Sequence, residues 1–347
     1  MAKNEVGNYG PILKKYNLQP THIEDHGKIK KVVTRNGVFA LKTITKKINL
    51  HFPVFLQQLF QQGYTRAVPI YPTRDGMYLV YYGQNYHYLM PWIQNHEPTD
   101  RVTRNDVIFK EIARVHLTTS RKQTIEEDEI TSHFEGIVNQ WEEQNQYLES
   151  FVEQAEKKWY MSPFELQFCT YFYEVSLASR FAHNQLDCWY DKVQESKTFR
   201  TALTHGNLSD SHFLFDDNGK GYLSNFEKSA YGNPVNDLVS LYYRLLKTYP
   251  TLCENCVEWY ETYRKHNPLR DEEIYLFLSY LSYPEPIYRC IKNYEKNRTK
   301  SEREHVQQLQ RAYWLTKNIE YVAVKILEAE DKRKQEELNT EEEESHT

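Results

Sequence analysis

The segment from Thr204 to Glu227, THGNLSDSHFLFDDNGKGYLSNFE, constrains the fold of this chain more than any other stretch. Two short apolar runs, at 213–215 and 222–223, flank turn residues at 217–219. This pattern is typical of two strands joined by a tight turn. Polar residues surround the pair of runs, and these are His205, Asn207, His212, Asn225 and Glu227. The segment therefore predicts a strand–turn–strand unit flanked by residues of possible chemical use.

The segment resembles the catalytic strip of the aminoglycoside and choline kinase-like family. That strip reads H-G-D-x-x-x-x-N, then a strand, a turn, a second strand and D-F or D-W, and His205, Gly206 and Phe226 keep its frame. The resemblance implies an α+β, two-lobed protein-kinase-like fold, with a small antiparallel β lobe plus one helix and a larger, mainly helical lobe. In such enzymes an Asp orients the acceptor hydroxyl, while an Asn and a second Asp hold Mg²⁺ against the nucleotide phosphates.

Three chemical positions depart from the family pattern. Asn207 stands where the base belongs, and an amide does not take up a proton near neutral pH. His212, five residues further on, and Asn225, eighteen residues further on, stand at the metal positions. Mg²⁺ prefers anionic oxygen, so an imidazole and a neutral amide predict a degenerate metal site. We therefore expect no catalytic residue, metal or cofactor, and regard His205 and Asn207 as a vestigial loop.

A second match to the family lies near the amino terminus. Asn36 and Gly37 predict a hairpin turn between strands at 28–33 and 37–44, because both residues tolerate positive φ. Lys42, in the second strand, resembles the kinase lysine that pairs with the nucleotide phosphates and with a Glu on the next helix. We expect Lys42 to be a vestigial phosphate site.

The surroundings of that lysine also differ from the family pattern. The next helix, predicted from about 53 to 62, has no acid, and no Asp or Glu occurs between Thr43 and Tyr64. Gln57 or Gln58 is then the expected substitute partner. Gly27 is the only glycine of the hairpin before its turn, so the glycine-rich cradle for phosphates is missing.

The remaining patterns predict the domain organisation. Strand-like segments at 68–71, 77–82 and 86–90 complete a small lobe over residues 1–91, and a mainly helical large lobe follows over 92–330. Residues 331–347 are rich in Glu and Lys and predict an acidic disordered tail. The segment from Tyr231 to Leu238 resembles the family's G-x-P-x-x-D-L. There the Asp braces the catalytic loop, so the resemblance implies a structural role for Asp237.

Composition excludes several classes of function. The 43 Lys and Arg against 48 Asp and Glu leave a net charge of −5 without a concentrated basic face, which argues against nucleic acid as a partner. No apolar run has the length of a signal peptide or a transmembrane helix, so neither is expected. Five scattered cysteines suggest a reducing compartment, and Cys253 and Cys256 predict neighbouring helical turns more readily than zinc ligands.

Within the kinase-like proteins the chain is most similar to the CotS group of spore-coat proteins from spore-forming bacteria. The tyrosine-rich large lobe and the segment LSYLSYP at 278–284 carry this resemblance. It implies a binding or structural component of the spore coat, with other coat proteins as partners. It also implies residence in the mother-cell cytoplasm before deposition on the spore.

Two alternatives remain open at the level of sequence. The first is an active small-molecule phosphotransferase with rearranged chemistry, since Asp210, Asp216, Asp217 and Glu227 lie near the altered positions and a His can act as a base. Ordinary turn and loop roles account for these acids better than catalysis does. The second is a non-catalytic sensor that binds a nucleotide or another small molecule weakly through Lys42.

Overall fold

A computed structural model describes residues 2–44, 48–96, 100–248, 251–297 and 299–345. Its contacts divide the chain into two compact units. The first comprises residues 1–120 and 202–232, and the second comprises residues 121–201 and 233–347. The first unit therefore contains the predicted small lobe together with one helix of the predicted large lobe and the whole 204–227 segment.

The first unit is built on a five-stranded antiparallel sheet in the order β1-β2-β3-β5-β4. Its amino-terminal elements are α1 (Ala2–Lys15), β1 (Pro20–His26), β2 (Ile29–Thr34), β3 (Gly37–Ile44), α2 (Phe52–Gln61), β4 (Val80–Tyr82) and β5 (Asn85–Pro91). Apolar side chains of α1 pack on one face of the sheet, where Ile12 and Leu13 join Val32, Leu41 and Leu89 in a buried core. The antiparallel sheet and its helix confirm the predicted small β lobe.

The predicted hairpin is confirmed, and one predicted strand is wrong. β2 pairs with β3 from Ile29–Lys42 to Thr34–Gly37, as the Asn-Gly turn indicates. Residues 68–71 form no strand, and only Tyr71 makes an isolated bridge, to Leu89. Prolines at 69 and 72 lack the N–H that a ladder needs, which explains the difference. The fifth strand is instead β1, at the edge of the sheet.

The rest of the first unit carries the 204–227 segment. It consists of α3 (Arg101–Thr119), the end of β7 (Thr198–Thr204), a 3-10 turn (Asp210–His212), β8 (Phe213–Phe215), β9 (Gly221–Leu223), a second 3-10 turn (Phe226–Lys228) and β10 (Ala230–Gly232). β8 and β9 pair as an antiparallel hairpin, which confirms the predicted strand–turn–strand unit. Asp100 caps α3 by accepting from the backbone N–H of Val102 and Thr103.

The second unit is mainly helical, as predicted. Its elements are β6 (Arg121–Thr124), α4 (Glu127–Glu156), α5 (Pro163–Ser196), the start of β7, α6 (Val235–Lys247), α7 (Cys256–His266), α8 (Asp271–Ser282), α9 (Glu285–Lys296) and α10 (Glu302–Ser345). Aromatic and aliphatic side chains of α4, α5, α9 and α10 form a buried core that includes Phe151, Phe164, Phe168, Ile287 and Leu309. Burial of these side chains supplies the main favourable free energy of the helical packing.

A buried arginine anchors β7 within the second unit. Arg200 donates to both carboxylate oxygens of Glu273, to the Asn267 side chain at 2.9 Å and to the Pro268 carbonyl at 3.0 Å. Both charged side chains are almost fully buried. Because every one of these contacts satisfies a buried donor, the pair avoids the large cost of an isolated charge. It fixes the start of β7 within this unit.

The carboxyl-terminal helix is longer than the sequence patterns suggest. α10 continues through Ser345, whereas the acidic composition predicts disorder from residue 331. Arg333 donates to the carboxylate of Glu261 and to Glu330, and Lys334 lies 3.2 Å from Asp271. The pairs to Glu261 and Asp271 join α10 to other helices and anchor the first turns of the acidic segment. None of the helices in the described ranges has the length and apolar character needed to cross a membrane.

Candidate functional site

The β8–β9 hairpin brings the two expected metal positions together. Strand pairing sets Phe213 opposite Leu223, so the residues just before β8 and just after β9 are neighbours. The Ser224 N–H donates to the His212 carbonyl at 2.8 Å and closes the open end of the hairpin. His212 and Asn225 therefore face one another although thirteen residues separate them in the chain.

These two side chains bond to each other. The His212 Nδ1 lies 2.9 Å from the Asn207 carbonyl, which can only accept, so Nδ1 carries the proton. Nε2 is then an acceptor, and the Asn225 amide donates to it at 2.5 Å. This assignment leaves the Asn225 Oδ1 buried without a hydrogen-bond partner in the described structure. The only acceptor nitrogen of the imidazole, Nε2, is therefore occupied by a hydrogen bond within the protein.

The surroundings keep His212 neutral. Burial, followed by the charge of His205, lowers the pKa of His212 to about 4. The Lys42 charge acts in the same direction, while the Asn207 carbonyl and Glu227 oppose it. At neutral pH the imidazole is therefore uncharged and a weak base. It cannot supply the amide oxygen that the family strip places at this position, and a neutral imidazole nitrogen is a poor ligand for Mg²⁺.

Buried contacts hold the loop before the hairpin in place. His205 is fully buried, and its Nε2 lies 2.8 Å from the Ser224 carbonyl while its ring packs against that of Phe226. Gly206 has a φ of +70°, and a Cβ there would lie 2.4 Å from the Lys228 carbonyl oxygen. Only glycine fits this position without backbone movement. Asn207 follows it, half-buried, at the position of the base.

Lys42 has a buried carboxylate partner, contrary to the sequence-based expectation. Its ammonium lies 2.6 Å from Glu227 Oε1. The Tyr88 hydroxyl donates to the same oxygen at 2.8 Å, and Tyr88 stands directly opposite Lys42 in the β3–β5 ladder. The prediction that Gln57 or Gln58 replaces the acid is wrong, because Gln57 bonds to Tyr78 and the carbonyl oxygen of Gln58 is buried without a partner in the described chain.

The electrostatics of this buried triad favour the ionised pair. Burial alone would raise the pKa of Glu227, but the charge and hydrogen bond of Lys42, together with the Tyr88 hydroxyl, outweigh it and lower the pKa. Burial is the largest influence on Lys42 and lowers its pKa, partly offset by Glu227. The backbone N–H of Asn49 donates to the Glu227 carbonyl at 2.8 Å, which holds this turn against the start of α2.

The other acids of the segment have local structural roles. Asp216 accepts from the backbone N–H groups of Asn218 and Lys220, and these bonds hold its pKa below the ordinary value. Asp217 is exposed and lies 2.7 Å from His96. The backbone of Asp210 begins a 3-10 turn, and its side chain lies outside the described part of the structure. None of these contacts places a carboxylate beside His212 or Asn225.

Asp237, the expected brace of the loop, lies in the first turn of α6 in the second unit and is 1% exposed. Its contact with the loop stays a prediction.

Over the described ranges, no group of three or more His, Cys, Asp or Glu is arranged to hold a metal ion. The residues at the two expected metal positions do not fit Mg²⁺, because one is a neutral imidazole already bonded and the other offers a single amide oxygen.

The fold and this loop define the chain as a protein with the kinase-like fold of aminoglycoside phosphotransferases. An aminoglycoside phosphotransferase from Alicyclobacillus acidocaldarius superposes with a TM-score of 0.71 at 14% identity, covering 91% of this chain and 94% of that one. A spectinomycin phosphotransferase bound to ADP and spectinomycin gives 0.56 at 12% identity, covering 92% and 99%.

A microcompartment-associated aminopropanol kinase also gives a TM-score of 0.56, at 14% identity, covering 93% of this chain and 99% of that one. At these identities the likeness establishes the fold alone. No model of a known protein family matches the sequence, and no curated protein matches it. The predicted two-lobed kinase-like fold is thus confirmed.

Glu227 is the site residue whose role the sequence patterns do not reveal. It stands two positions after Asn225 and looks like an ordinary turn acid. A signal is nevertheless present, because Lys42 matches a position that needs an acid and the following helix contains none. A search for a replacement acid elsewhere in the matched segments would have reached Glu227.

Proposed function

We propose that this protein is a kinase-fold protein without phosphotransferase activity, a pseudokinase that acts by binding. The observation that carries the proposal is the bond between His212 and Asn225, which joins the two positions that should hold Mg²⁺. Since magnesium neutralises the charge that develops on the transferred phosphoryl group, a protein with no anionic ligand at either position lacks the main source of catalysis.

Two further features support the proposal. Asn207, at the position of the base, cannot accept the proton of an acceptor hydroxyl. The β1–β2 hairpin, which precedes the Lys42 strand, has Gly27 as its only glycine and so lacks the glycine-rich backbone that approaches phosphates. The Lys42–Glu227 pair is not evidence of lost function, because a lysine–carboxylate pair is a normal part of kinases.

The resemblance to the CotS group supplies the proposed biological setting. We propose a binding or structural component of the bacterial spore coat, made in the mother-cell cytoplasm and deposited on the spore with other coat proteins as partners. Within that group the resemblance is greatest to the member called YsxE. A fluorescent fusion in sporulating cells of the source tests this setting. A ring around the forespore supports it, and uniform fluorescence that persists into the mature spore contradicts it.

The biochemical test compares the native protein with a variant that regains the family residues. In N207D/H212N/N225D we expect a melting-temperature rise of about 2 °C or more with saturating ATP and Mg²⁺, because a ligand that binds only the folded state stabilises it. N207D alone is the matched control, since it restores the base position without any metal ligand. We expect no shift in that control or in the native protein.

Two different outcomes of the same measurements would contradict the proposal. A magnesium-dependent shift of the native protein with consumption of ATP would establish the alternative of an active phosphotransferase. A shift with ATP that is independent of metal would instead indicate a ligand sensor that uses Lys42. Both outcomes are measured on the native protein. They can therefore be interpreted even if the restored variant does not fold.

A further inference from the structure

The second unit contains a cavity of about 660 Å³ that the kinase-like loop does not use. Side chains of α6, α9 and α10 line it. Its basic members are Arg244, Lys247, Arg289 and Arg311. Glu285 is the only acid among the lining residues, although the whole chain has more acids than bases. Cations are therefore concentrated here against the overall charge of the protein.

The pairing of these charges leaves a cationic excess. Arg289 donates from Nε and Nη2 to Glu285 Oε1, at 3.1 and 2.7 Å, so these two residues neutralise one another. Lys247 and Arg311 form no ion pair within the described chain. Exposed cations of this kind carry a favourable potential for an anion, and a concave wall strengthens it.

Two observations place Lys247 and Arg311 at the centre of the basic surface. Lys247 and Cys290 both line the larger cavity, where burial raises the pKa of the Cys290 thiol and the Lys247 charge partly counters this effect. Lys247 and Arg311 also line an adjoining cavity of about 290 Å³, together with Gln307, Gln310 and Trp314. The two cavities thus share one pair of cations, and the Trp314 side chain is 38% exposed beside them.

We propose that this basic cavity is a binding site for a small organic molecule that carries two or more phosphate or carboxylate groups. The volume falls within the range of about 300–1,000 Å³ that ligand sites occupy. Guanidinium forks bind the planar oxygen pairs of phosphate and carboxylate, and the Lys247 ammonium adds a point charge. Trp314 offers an apolar face for the non-ionic part of the ligand. The site is separate from the proposed pseudokinase loop and does not depend on it.

Isothermal titration calorimetry with tripolyphosphate and with citrate tests the proposal on the full chain. We expect saturable binding of at least one probe, with a Kd below about 1 mM at about 50 mM NaCl. The two probes distinguish a phosphate ligand from a carboxylate ligand. If neither probe binds, the proposal is overturned. So does binding of only a glutamate decapeptide, because that outcome indicates an acidic protein segment instead.

Matched variants separate a built site from general attraction. K247Q/R311Q should weaken binding about tenfold or more, whereas K122Q/K265Q removes the same charge at exposed positions outside the cavity and should leave Kd within about twofold. Equal weakening by both pairs would refute the site.

A gain of affinity supplies the complementary check. E285Q should tighten binding about threefold or more, because it releases Arg289 from its carboxylate partner. Misfolding cannot produce this gain. An E285Q affinity equal to or below that of the native protein would contradict the proposal.

Discussion

Replacement of Glu227 by Gln tests the buried triad that holds the 3-10 turn against the sheet. The side chains of Lys42 and Glu227 are only 14% and 9% exposed, so the substitution leaves a buried ammonium without its counter-charge. Breaking such a pair costs about 3–5 kcal/mol. The amide oxygen still accepts from Lys42 and Tyr88, so we expect a smaller loss, about 2–3 kcal/mol of unfolding free energy.

The double variant K42M/E227Q isolates the pairwise interaction. It contains no uncompensated charge, so its loss of stability should fall short of the sum of the single variants by about 2 kcal/mol. The exposed Lys31–Glu24 pair on the same sheet, at 3.1 Å, is the matched control. E24Q should cost much less than E227Q, because exposed pairs contribute little to stability.

Urea denaturation at neutral pH, followed by far-UV circular dichroism, provides the free energies. If the two units unfold separately, the transition that responds to E227Q gives the values. Addition of about 1 M NaCl should reduce the effect of E24Q and leave that of E227Q, because salt screens buried charges weakly. The reasoning is refuted if E227Q costs no more than E24Q, or if the double variant loses the full sum.

Two further predictions concern the loop itself. Gly206→Ala should lower the unfolding free energy by at least about 2 kcal/mol, since it adds a clash with the Lys228 carbonyl to the strain of positive φ. Gly219→Ala has the same φ with open space around it, so chemical denaturation should show a loss of only about 1 kcal/mol, and equal losses would disprove the steric argument. The pKa of His212 is about 4 in the folded protein, against an ordinary value of 6.5 in the unfolded chain. The unfolded chain therefore binds more protons between these values, and stability should be full above pH 6.5 and fall as pH drops to 4. After allowance for partial solvent exposure the loss is about 1–2 kcal/mol. Urea titrations across this range should show a shallower fall in H212N, and parallel curves for both proteins would contradict the assignment.

The sequence by itself determined the local frame of this protein. The Asn-Gly turn fixed the β2–β3 hairpin, and the apolar runs around Asp217–Gly219 fixed the β8–β9 hairpin. Each of these depends on residues a few positions apart, whose conformational preferences act before any tertiary contact forms. The resemblance of the same segments to kinase motifs then led to the two-lobed fold. It also identified Asn207, His212 and Asn225 as altered positions.

Tertiary structure alone decided how the altered positions are used. Tyr88 and Glu227 meet across 139 residues of chain, and no local pattern encodes that Lys42 lies beside the same carboxylate. The mutual bond of His212 and Asn225 likewise requires the hairpin to close first. Composition predicts disorder where α10 continues, because it does not encode the ion pairs that Arg333 and Lys334 make to Glu261 of α7 and Asp271 of α8. Residues far apart in the chain become partners only when the whole fold packs them together, so local sequence patterns do not reveal these contacts.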